Sequence, residues 1–142
     1  MKVVATLHAD WLTDKAYNVT TDLINSGTEF NYIFANNDMM AQGCYNALKD
    51  AGKENIPIVS TGGSPDGFKM LQDGIEAANM TAPVSIQGVK TFMNLYNKVA
   101  LGEDPAEKFT ALPVIPVSAD DTSSYIAWDD YAAAYKYLGE NK

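Results

Sequence analysis

The residues best suited to chemistry follow short runs of apolar residues. Trp11 offers a flat indole face that can stack on a sugar ring or another planar ligand. Asn37 carries amide donors and an acceptor, which suits a hydroxyl group because a hydroxyl both donates and accepts. Gly62 and Gly63 allow close approach of the backbone to a ligand. These residue types predict recognition of a small polar molecule.

Each of these positions also has a purely structural interpretation. Trp11 could pack onto the side of its own helix, and Asp38 is well placed as the N-cap of the helix that follows it. If Asp38 is the cap, Asn37 is free to face a ligand. The glycine turn Thr61–Pro65 leads onto a helix N-terminus, which is a geometry that also holds phosphates. It lacks the P-loop and dinucleotide fingerprints, so turn geometry or backbone approach is the favoured use.

The stretch 31–74 positions most of these residues. It predicts a strand at 32–35, a helix at 40–51, a strand at 56–59 and a helix with Ser64 as N-cap and Pro65 as its first residue. Two βα units in tandem require a parallel sheet, because parallel strands cannot be joined by tight hairpins. Such sheets bind ligands beyond the carboxyl ends of their strands. The turns at 36–38 and 61–64 are therefore the predicted ligand surface.

The remaining elements complete an α/β pattern. They are a first strand at 3–7, helices at 13–26 and 84–101, a strand at 77–81, an extended edge segment at 112–117 and a final helix from 128 to 138. The predicted inward stripe of the long helix is Val89, Phe92, Met93, Tyr96, Val99 and Ala100. That of the final helix is Trp128, Tyr131, Ala132, Tyr135 and Leu138, closed by Gly139.

Composition excludes several classes of protein. The chain has 142 residues, about one domain, with 10 basic and 18 acidic residues and a net charge of −8. That charge argues against a nucleic-acid partner, since an acidic surface repels phosphate. A single cysteine, Cys44, excludes an internal disulfide and is predicted to be a small buried hydrophobe. His8 and Asp10 do not make a catalytic set, and no motif predicts a nucleophile, a cofactor or a metal site.

Three motifs make the chain resemble the C-terminal lobe of periplasmic sugar-binding proteins of the ribose- and galactose-binding type. Residues 34–43 (FANNDMMAQG), followed by ALKDAGK at 47–53, are similar to the family's F-A-x-N-D-x-M-A-x-G-A…A-L-x-x-A-G-K. Residues 58–67 (IVSTGGSPDG) stand beside V-V-G-F-D-G-T-P-D-G, and Trp11 matches an aromatic residue in the turn after a strand. The resemblance covers the chain to about Val117.

The resemblance implies a doubly wound, Rossmann- or flavodoxin-like parallel sheet and one lobe of a type I periplasmic binding protein. Residues 1–117 would form the incomplete C-terminal lobe, and 118–142 a link after the hinge and a terminal amphipathic helix. Family members are solute receptors of ABC transporters that close two lobes on a sugar and are recognised by a membrane permease. The parent protein would be periplasmic or extracellular, with a membrane-anchored lipoprotein as one form, and would not be an enzyme.

Carried over by position, the resemblance implies that Trp11 stacks on the ligand and that Asn37 and Asp38 belong to the ligand turn. Thr81 stands where the family has a sugar-binding glutamine or asparagine. Gly62 replaces an aspartate that accepts hydrogen bonds from sugar hydroxyls. Loss of such a contact costs about 1.5–3 kcal/mol if nothing replaces it, so the ligand is expected to be bulkier, less hydroxylated or differently posed.

The family's lobe begins with a strand and helix that this chain lacks, and in the order 2-1-3-4-5 that strand lies between the first two strands predicted here. The unpaired edges predict strand exchange or edge pairing between copies. The alternative function is the effector-binding core of a lac-repressor-like regulator, which shares the fold and the A-N-D motif. A third class, a phosphate-handling enzyme that uses the Gly62–Gly63 turn, lacks any converging catalytic set.

Overall fold

The described part of the chain folds as five helices around a four-stranded sheet. A computed structural model describes residues 1–105, 109 and 111–140. The helices are α1 (Thr13–Asn25), α2 (Asp38–Asp50), α3 (Pro65–Gln72), α4 (Val84–Tyr96, extended by a π-helical turn at Asn97–Leu101) and α5 (Tyr131–Glu140). The strands are β1 (Ile33–Ala35), β2 (Ile58–Gly62), β3 (Glu76–Thr81) and β4 (Ile115–Ser118).

The sheet has the order β1-β2-β3-β4. The first three strands are parallel, as the tandem βα units predicted, and β4 runs antiparallel to β3 at the edge. Pro116 lies in this edge strand, where the missing N–H of proline is tolerated. The predicted α/β class with a mostly parallel sheet is confirmed.

The predicted first strand at 3–7 is wrong. Residues 1–9 form no strand, and Val3, Val4 and Leu7 are exposed. A strand exists only when its backbone groups pair with a neighbour, and no described strand pairs with this segment. β1 is accordingly bonded on one side only among the described strands.

The first hydrophobic core lies between α1, α2 and the sheet. Its fully buried members include Ala16, Ala41, Leu48 and Ile58. Cys44 belongs to this core, as predicted, and its sulfur accepts a hydrogen bond from Thr20 Oγ1 at 3.3 Å. These buried side chains form one closely packed contact among the two helices and the sheet.

The second core lies on the other side, and here two predicted helix faces are confirmed only in part: Val89 of α4 and Leu138 of α5 pack against this core. α5 begins at Tyr131, after Trp128, and buries Ala134 while Tyr131 and Tyr135 are exposed; Gly139 lies inside the helix instead of closing it. On α4 the buried residues are Ser85 and Ile86. The second half of the predicted α4 stripe is open to solvent: Phe92 is 67% exposed, and Tyr96, Val99 and Ala100 are also exposed.

The exposed residues of both predicted faces have the same explanation. Periodicity predicts that a helix has an apolar side, but it does not say that a neighbour lies there to cover it. The helices described here are each too short or too polar to cross a bilayer. The predicted surface connection at 103–110 lies partly outside the described residues, and the division at residue 117 stays a prediction.

Candidate ligand-binding site

Four of the predicted site residues meet at the carboxyl edge of the parallel strands. Gly62 ends β2 and pairs with Thr81, the last residue of β3. Asn37 follows β1, and its Nδ2 lies 3.4 Å from the backbone oxygen of Trp11, to which it donates. The Thr61 hydroxyl donates to the backbone oxygen of Asn36 at 2.8 Å and so joins the two ligand turns. These residues therefore lie at the carboxyl edge of the sheet, where the sequence predicts the ligand surface.

Trp11 stands at this edge with its side chain 61% exposed. Its φ is +64° and that of Asp10 is +47°, so both residues adopt the left-handed conformation that non-glycine residues rarely adopt. Ala9 is buried just before them, and its carbonyl accepts from Leu12 N–H as α1 begins. Most of the Trp11 surface is therefore open to solvent.

Asn37, and not Asp38, is the N-cap of α2. Its Oδ1 accepts from Met40 N–H at 2.7 Å, and Asp38 is the first residue of the helix. The expectation that capping by Asp38 leaves Asn37 free is therefore wrong. Asn37 still keeps Nδ2, whose 3.4 Å bond to Trp11 is long, and the side chain is only partly buried. Its donor faces the Trp11 turn and remains suited to a ligand hydroxyl.

Asp38 is buried beneath the edge and organises a polar network. Its Oδ2 accepts from Ser64 N–H at 2.7 Å, at the N-terminus of α3. Its Oδ1 accepts from Asn79 Nδ2 at 2.7 Å and lies 3.0 Å from Ser60 Oγ. The carboxylate thus ties α2, α3 and the central strands together, and direct contact between Asp38 and a ligand stays a prediction.

The same network contains Glu76, which the sequence analysis did not identify. Its side chain is completely inaccessible, 2.9 Å from Ser60 Oγ and 3.0 Å from Asn79 Nδ2. Burial is the main cause that raises the pKa of Glu76 to about 7, and the charge of Asp38 adds to it, while the hydrogen bonds from Asn79 and Ser60 oppose the shift.

A β-bulge explains why Glu76 and Asn79 point the same way. Residues three apart in a regular strand face opposite sides of a sheet. Ile58 pairs with Glu76, but Val59 pairs with Ala78, so Ala77 is an extra residue. Glu76 comes directly before the predicted strand at 77–81, and sequence alone reveals neither the earlier start of β3 nor the bulge.

The backbone at Gly62 and Gly63 leaves no room for side chains. Gly62 has φ +135°, and a Cβ there would lie 2.8 Å from Asp38 Oδ2. A Cβ on Gly63, at φ +72°, would lie 2.6 Å from the Thr81 Cβ. Thr81 is fully buried, and its hydroxyl donates to the Ile115 backbone oxygen at 2.8 Å. The glycine at 62 is therefore a packing requirement of the buried Asp38.

Two aromatic residues of the C-terminal segment reach the glycine turn and were not predicted to do so. Trp128 Nε1 donates to the Gly62 oxygen at 3.3 Å, and the Tyr125 hydroxyl donates to the Gly63 oxygen at 3.1 Å. The Tyr125 ring stacks on Phe68 of α3, with centroids 3.8 Å apart. Trp128 was predicted to lie on a helix stripe, and its position beside Gly62, 66 residues away in sequence, depends on the long-range fold.

The carboxyl edge of the three parallel strands thus carries an exposed tryptophan, an amide and a glycine turn. The chain belongs to the periplasmic binding protein domain family, whose model matches residues 1–104. It is 35% identical over 107 residues to the ribose import binding protein RbsB of Salmonella typhimurium, covering 75% of this chain and 36% of that protein. It is 37% identical over 86 residues to the D-allose-binding periplasmic protein of Escherichia coli, covering 60% and 26%.

Solved structures agree on the fold. A periplasmic solute binding protein of an ABC transporter from Actinobacillus succinogenes, with bound D-allose, superposes with a TM-score of 0.80 at 23% identity, covering 87% of this chain and 43% of that one. The chain spans about a third of the length of the curated relatives that it matches, between 26% and 36% in the two above.

Proposed function

We propose that the chain is the C-terminal lobe of a solute-binding receptor of an ABC transporter, and that the receptor holds a small carbohydrate or polyol between two lobes. The observation that carries this proposal is the convergence of Trp11, Asn37 and Gly62 on one sheet edge in a member of this family. A stacking face beside amide and backbone polar groups suits a ring that carries hydroxyls. Thr81 belongs to the proposed site through its pairing with Gly62.

The parent receptor in this proposal is exported and delivers its ligand to a membrane permease. Support comes from the family and from relatives whose names describe import binding and periplasmic binding. The relatives are transport proteins rather than enzymes, and this lobe is proposed to bind without catalysis. One lobe covers only one side of a ligand, so the chain alone is expected to bind weakly.

A titration followed by ¹⁵N–¹H NMR tests the binding site directly. The chain would be titrated with D-ribose, D-allose, D-fructose, xylitol and myo-inositol, with sodium phosphate as the anion control. We expect at least one sugar or polyol to shift the Trp11 indole signal, the Asn37 side-chain amide and the Gly62 and Gly63 backbone amides. Calorimetry of the longer parent protein with the same compounds should show tighter binding. No binding to the chain and none to the parent would refute the proposed ligand class, and shifts caused by phosphate alone would favour the phosphate-handling alternative.

The regulator alternative is less well supported. The matched relatives are import and periplasmic binding proteins, and a net charge of −8 does not assist DNA binding. A helix-turn-helix segment encoded upstream of residue 1 would reverse this preference, whereas an export signal there would support the receptor.

The open edge of β1 is proposed to pair with a second copy, by edge pairing or by exchange of the 3–7 segment. β1 has no partner strand on its outer side in the described part of the chain, and Phe34 is 53% exposed there. Residues 1–8 carry β-branched side chains and make no backbone hydrogen bond to any described residue. An extended segment without partners and a strand with one free side are complementary.

A lysine at position 34 should block this pairing, because a charged side chain on an edge strand opposes addition of another strand. Light scattering over a range of concentrations should show a dimer for the native chain and a monomer for Phe34→Lys. Phe92→Lys on α4 is the matched control, since Phe92 is similarly exposed but distant from the edge in sequence and element. A native chain that is monomeric throughout contradicts the proposal, and a dimer lost only in Phe92→Lys would assign the contact to α4.

A further inference from the structure

The buried network under the candidate site has more close polar contacts than it has hydrogens. Ser60 Oγ lies 3.0 Å from Asp38 Oδ1 and 2.9 Å from Glu76 Oε1. Asn79 Nδ2 lies 2.7 Å from Asp38 Oδ1, 2.8 Å from Ser60 Oγ and 3.0 Å from Glu76 Oε2. All four side chains are buried, so bulk water does not relieve the shortage.

If both carboxyls were ionised, the donors would be one serine hydroxyl hydrogen and two amide hydrogens. Ser60 could then donate to one carboxylate only, and its oxygen would face the other as an unrelieved acceptor. Turning the Asn79 amide round makes matters worse, because its oxygen would then face Asp38 Oδ1 at 2.7 Å. A single additional proton on a carboxyl resolves this conflict: Glu76 donates to Ser60, Ser60 donates to Asp38, and Asn79 donates to both carboxyls.

The surroundings place that proton on Glu76. Asp38 receives a further hydrogen bond from Ser64 N–H and lies at the N-termini of α2 and α3, which favour a negative charge. Glu76 is bonded only to Ser60 and Asn79 among the described residues and is inaccessible to solvent. Two neighbouring carboxyls in unequal environments share one proton in this way, with the less stabilised one neutral.

We propose that Glu76 is a positioning residue that works in its protonated form: its neutral carboxyl holds Ser60 and Asp38 in place, and through them the two ligand turns at Asn37 and Gly62. Asp38 directly follows Asn37, and its carboxylate accepts from Ser64 N–H and fills the space that a Cβ on Gly62 would need. Ionisation of Glu76 places a second negative charge beside Asp38, which opens the network and displaces both turns. The consequence for ligand affinity rests on the proposed function; the proton and the turn movement do not.

The charged groups around Glu76 are few. From α2 it faces Asp38, and from β2 it faces Ser60, which does not titrate in this range. On the far side of Asp38, the Tyr125 pKa is raised by burial and by the charges of Asp38 and Asp129. Glu76 is therefore the member of this set that changes charge near neutral pH.

The decisive measurement needs neither a variant nor a ligand. In the native chain with ¹³C-labelled glutamate side chains, one glutamate carboxyl should titrate at about pH 7, and the backbone amides of Gly62, Gly63 and Asn37 should shift with the same midpoint. A purely structural glutamate would not couple these amide shifts to its own ionisation. If every glutamate titrates near its ordinary pKa, or if the three amides do not follow the carboxyl, the proposal is wrong.

Glu76→Gln separates charge from packing, because glutamine keeps the shape and is neutral at every pH. The stabilisation that protonated Glu76 contributes to the folded state is fully present below pH 4.5, the pKa of this glutamate in the unfolded chain. It is lost as the pH rises through about 7, the pKa of Glu76 in the folded chain. The urea midpoint of the native chain should therefore fall across this window relative to that of Glu76→Gln. Glu54→Gln, at an exposed site, should follow the native profile. Parallel profiles for the native chain and Glu76→Gln would overturn the proposal.

A ligand measurement distinguishes the two proposals. With the best binder of the sugar panel, dissociation constants of the native chain should rise about threefold or more from about pH 6 to about pH 8.5, and those of Glu76→Gln should stay level. Binding that does not change with pH, together with an ordinary Glu76 titration, refutes this inference and leaves the receptor intact. A coupled carboxyl and amide titration in a chain and parent that bind no sugar supports the proton and refutes the receptor.

Discussion

Replacement of Gly43 by alanine should destabilise the fold by about 3 kcal/mol. Gly43 lies in α2 where that helix crosses α1, and a Cβ there would overlap the Thr13 carbonyl oxygen and lie 2.9 Å from the Ala16 Cβ. Backbone atoms at such distances cannot yield by a side-chain rotation, so the two helices must separate. The same helix pair buries Ala16 and Thr20, whose contacts would loosen with the separation.

Gly88→Ala is the matched control for this experiment. Gly88 is also a glycine inside a helix, α4, and a Cβ there meets nothing within 4 Å. Alanine should therefore stabilise the chain by about 0.5–1 kcal/mol through its higher helix propensity. Both variants gain that propensity, so the difference between their urea unfolding free energies isolates the contact at Gly43. Equal stabilities for the two variants would mean that α1 and α2 do not approach as closely as the structure shows.

Local signals predicted the secondary structure of the central part of the chain well. Ser64 accepts from Gly67 N–H as the N-cap of α3, with Pro65 as first residue, and Gly52 has a left-handed φ of +65° after α2. These features are determined by residues within one turn of each other, which is why sequence alone identifies them. The parallel pairing of β1, β2 and β3 followed from the tandem βα units.

Features that depend on distant partners were not predicted. The 3–7 segment has the composition of a strand but has no neighbour, and the Phe92 face of α4 has the period of a core face but no covering element among the described residues. The cap of α2 was misassigned by one residue, because Asn37 and Asp38 are equally good caps and only burial of Asp38 under α3 decides between them. Glu76 and Asn79 point the same way because of a β-bulge, and no local sequence pattern predicts that bulge.

The candidate site also has features set by local sequence and features that depend on distant partners. Its exposed members, Trp11 and Asn37, were identified from residue type and from the rule that ligands lie beyond the carboxyl ends of parallel strands. Its buried support, in which Asp38 spans α2, α3 and Asn79 of β3, required coordinates because its members come from separate elements. Candidate recognition residues can thus be proposed from local sequence, whereas the groups that hold them in place come from the tertiary fold.

Trp11→Ala should have the largest effect on ligand binding, if the proposed function is correct. A stacked indole buries a large apolar area against one ring face, and its removal should weaken binding by about 2 kcal/mol or more, roughly thirtyfold. Trp11→Phe, which keeps an aromatic face, should recover much of the affinity. The measurement is an NMR or calorimetric titration with the best binder of the sugar panel.

Phe92→Ala controls for the general loss of an exposed aromatic side chain, since Phe92 and Trp11 have similar exposure, 67% and 61%. Stability should change little in Trp11→Ala, because the exposed indole contributes little to the core and alanine, which keeps a Cβ, carries a similar cost at this left-handed position. A loss of affinity without a loss of stability would then assign Trp11 to the ligand and not to the fold. Equal affinities for the native chain and Trp11→Ala would mean that the indole does not contact the ligand. Recognition would then have to come from Asn37 and the glycine turn alone.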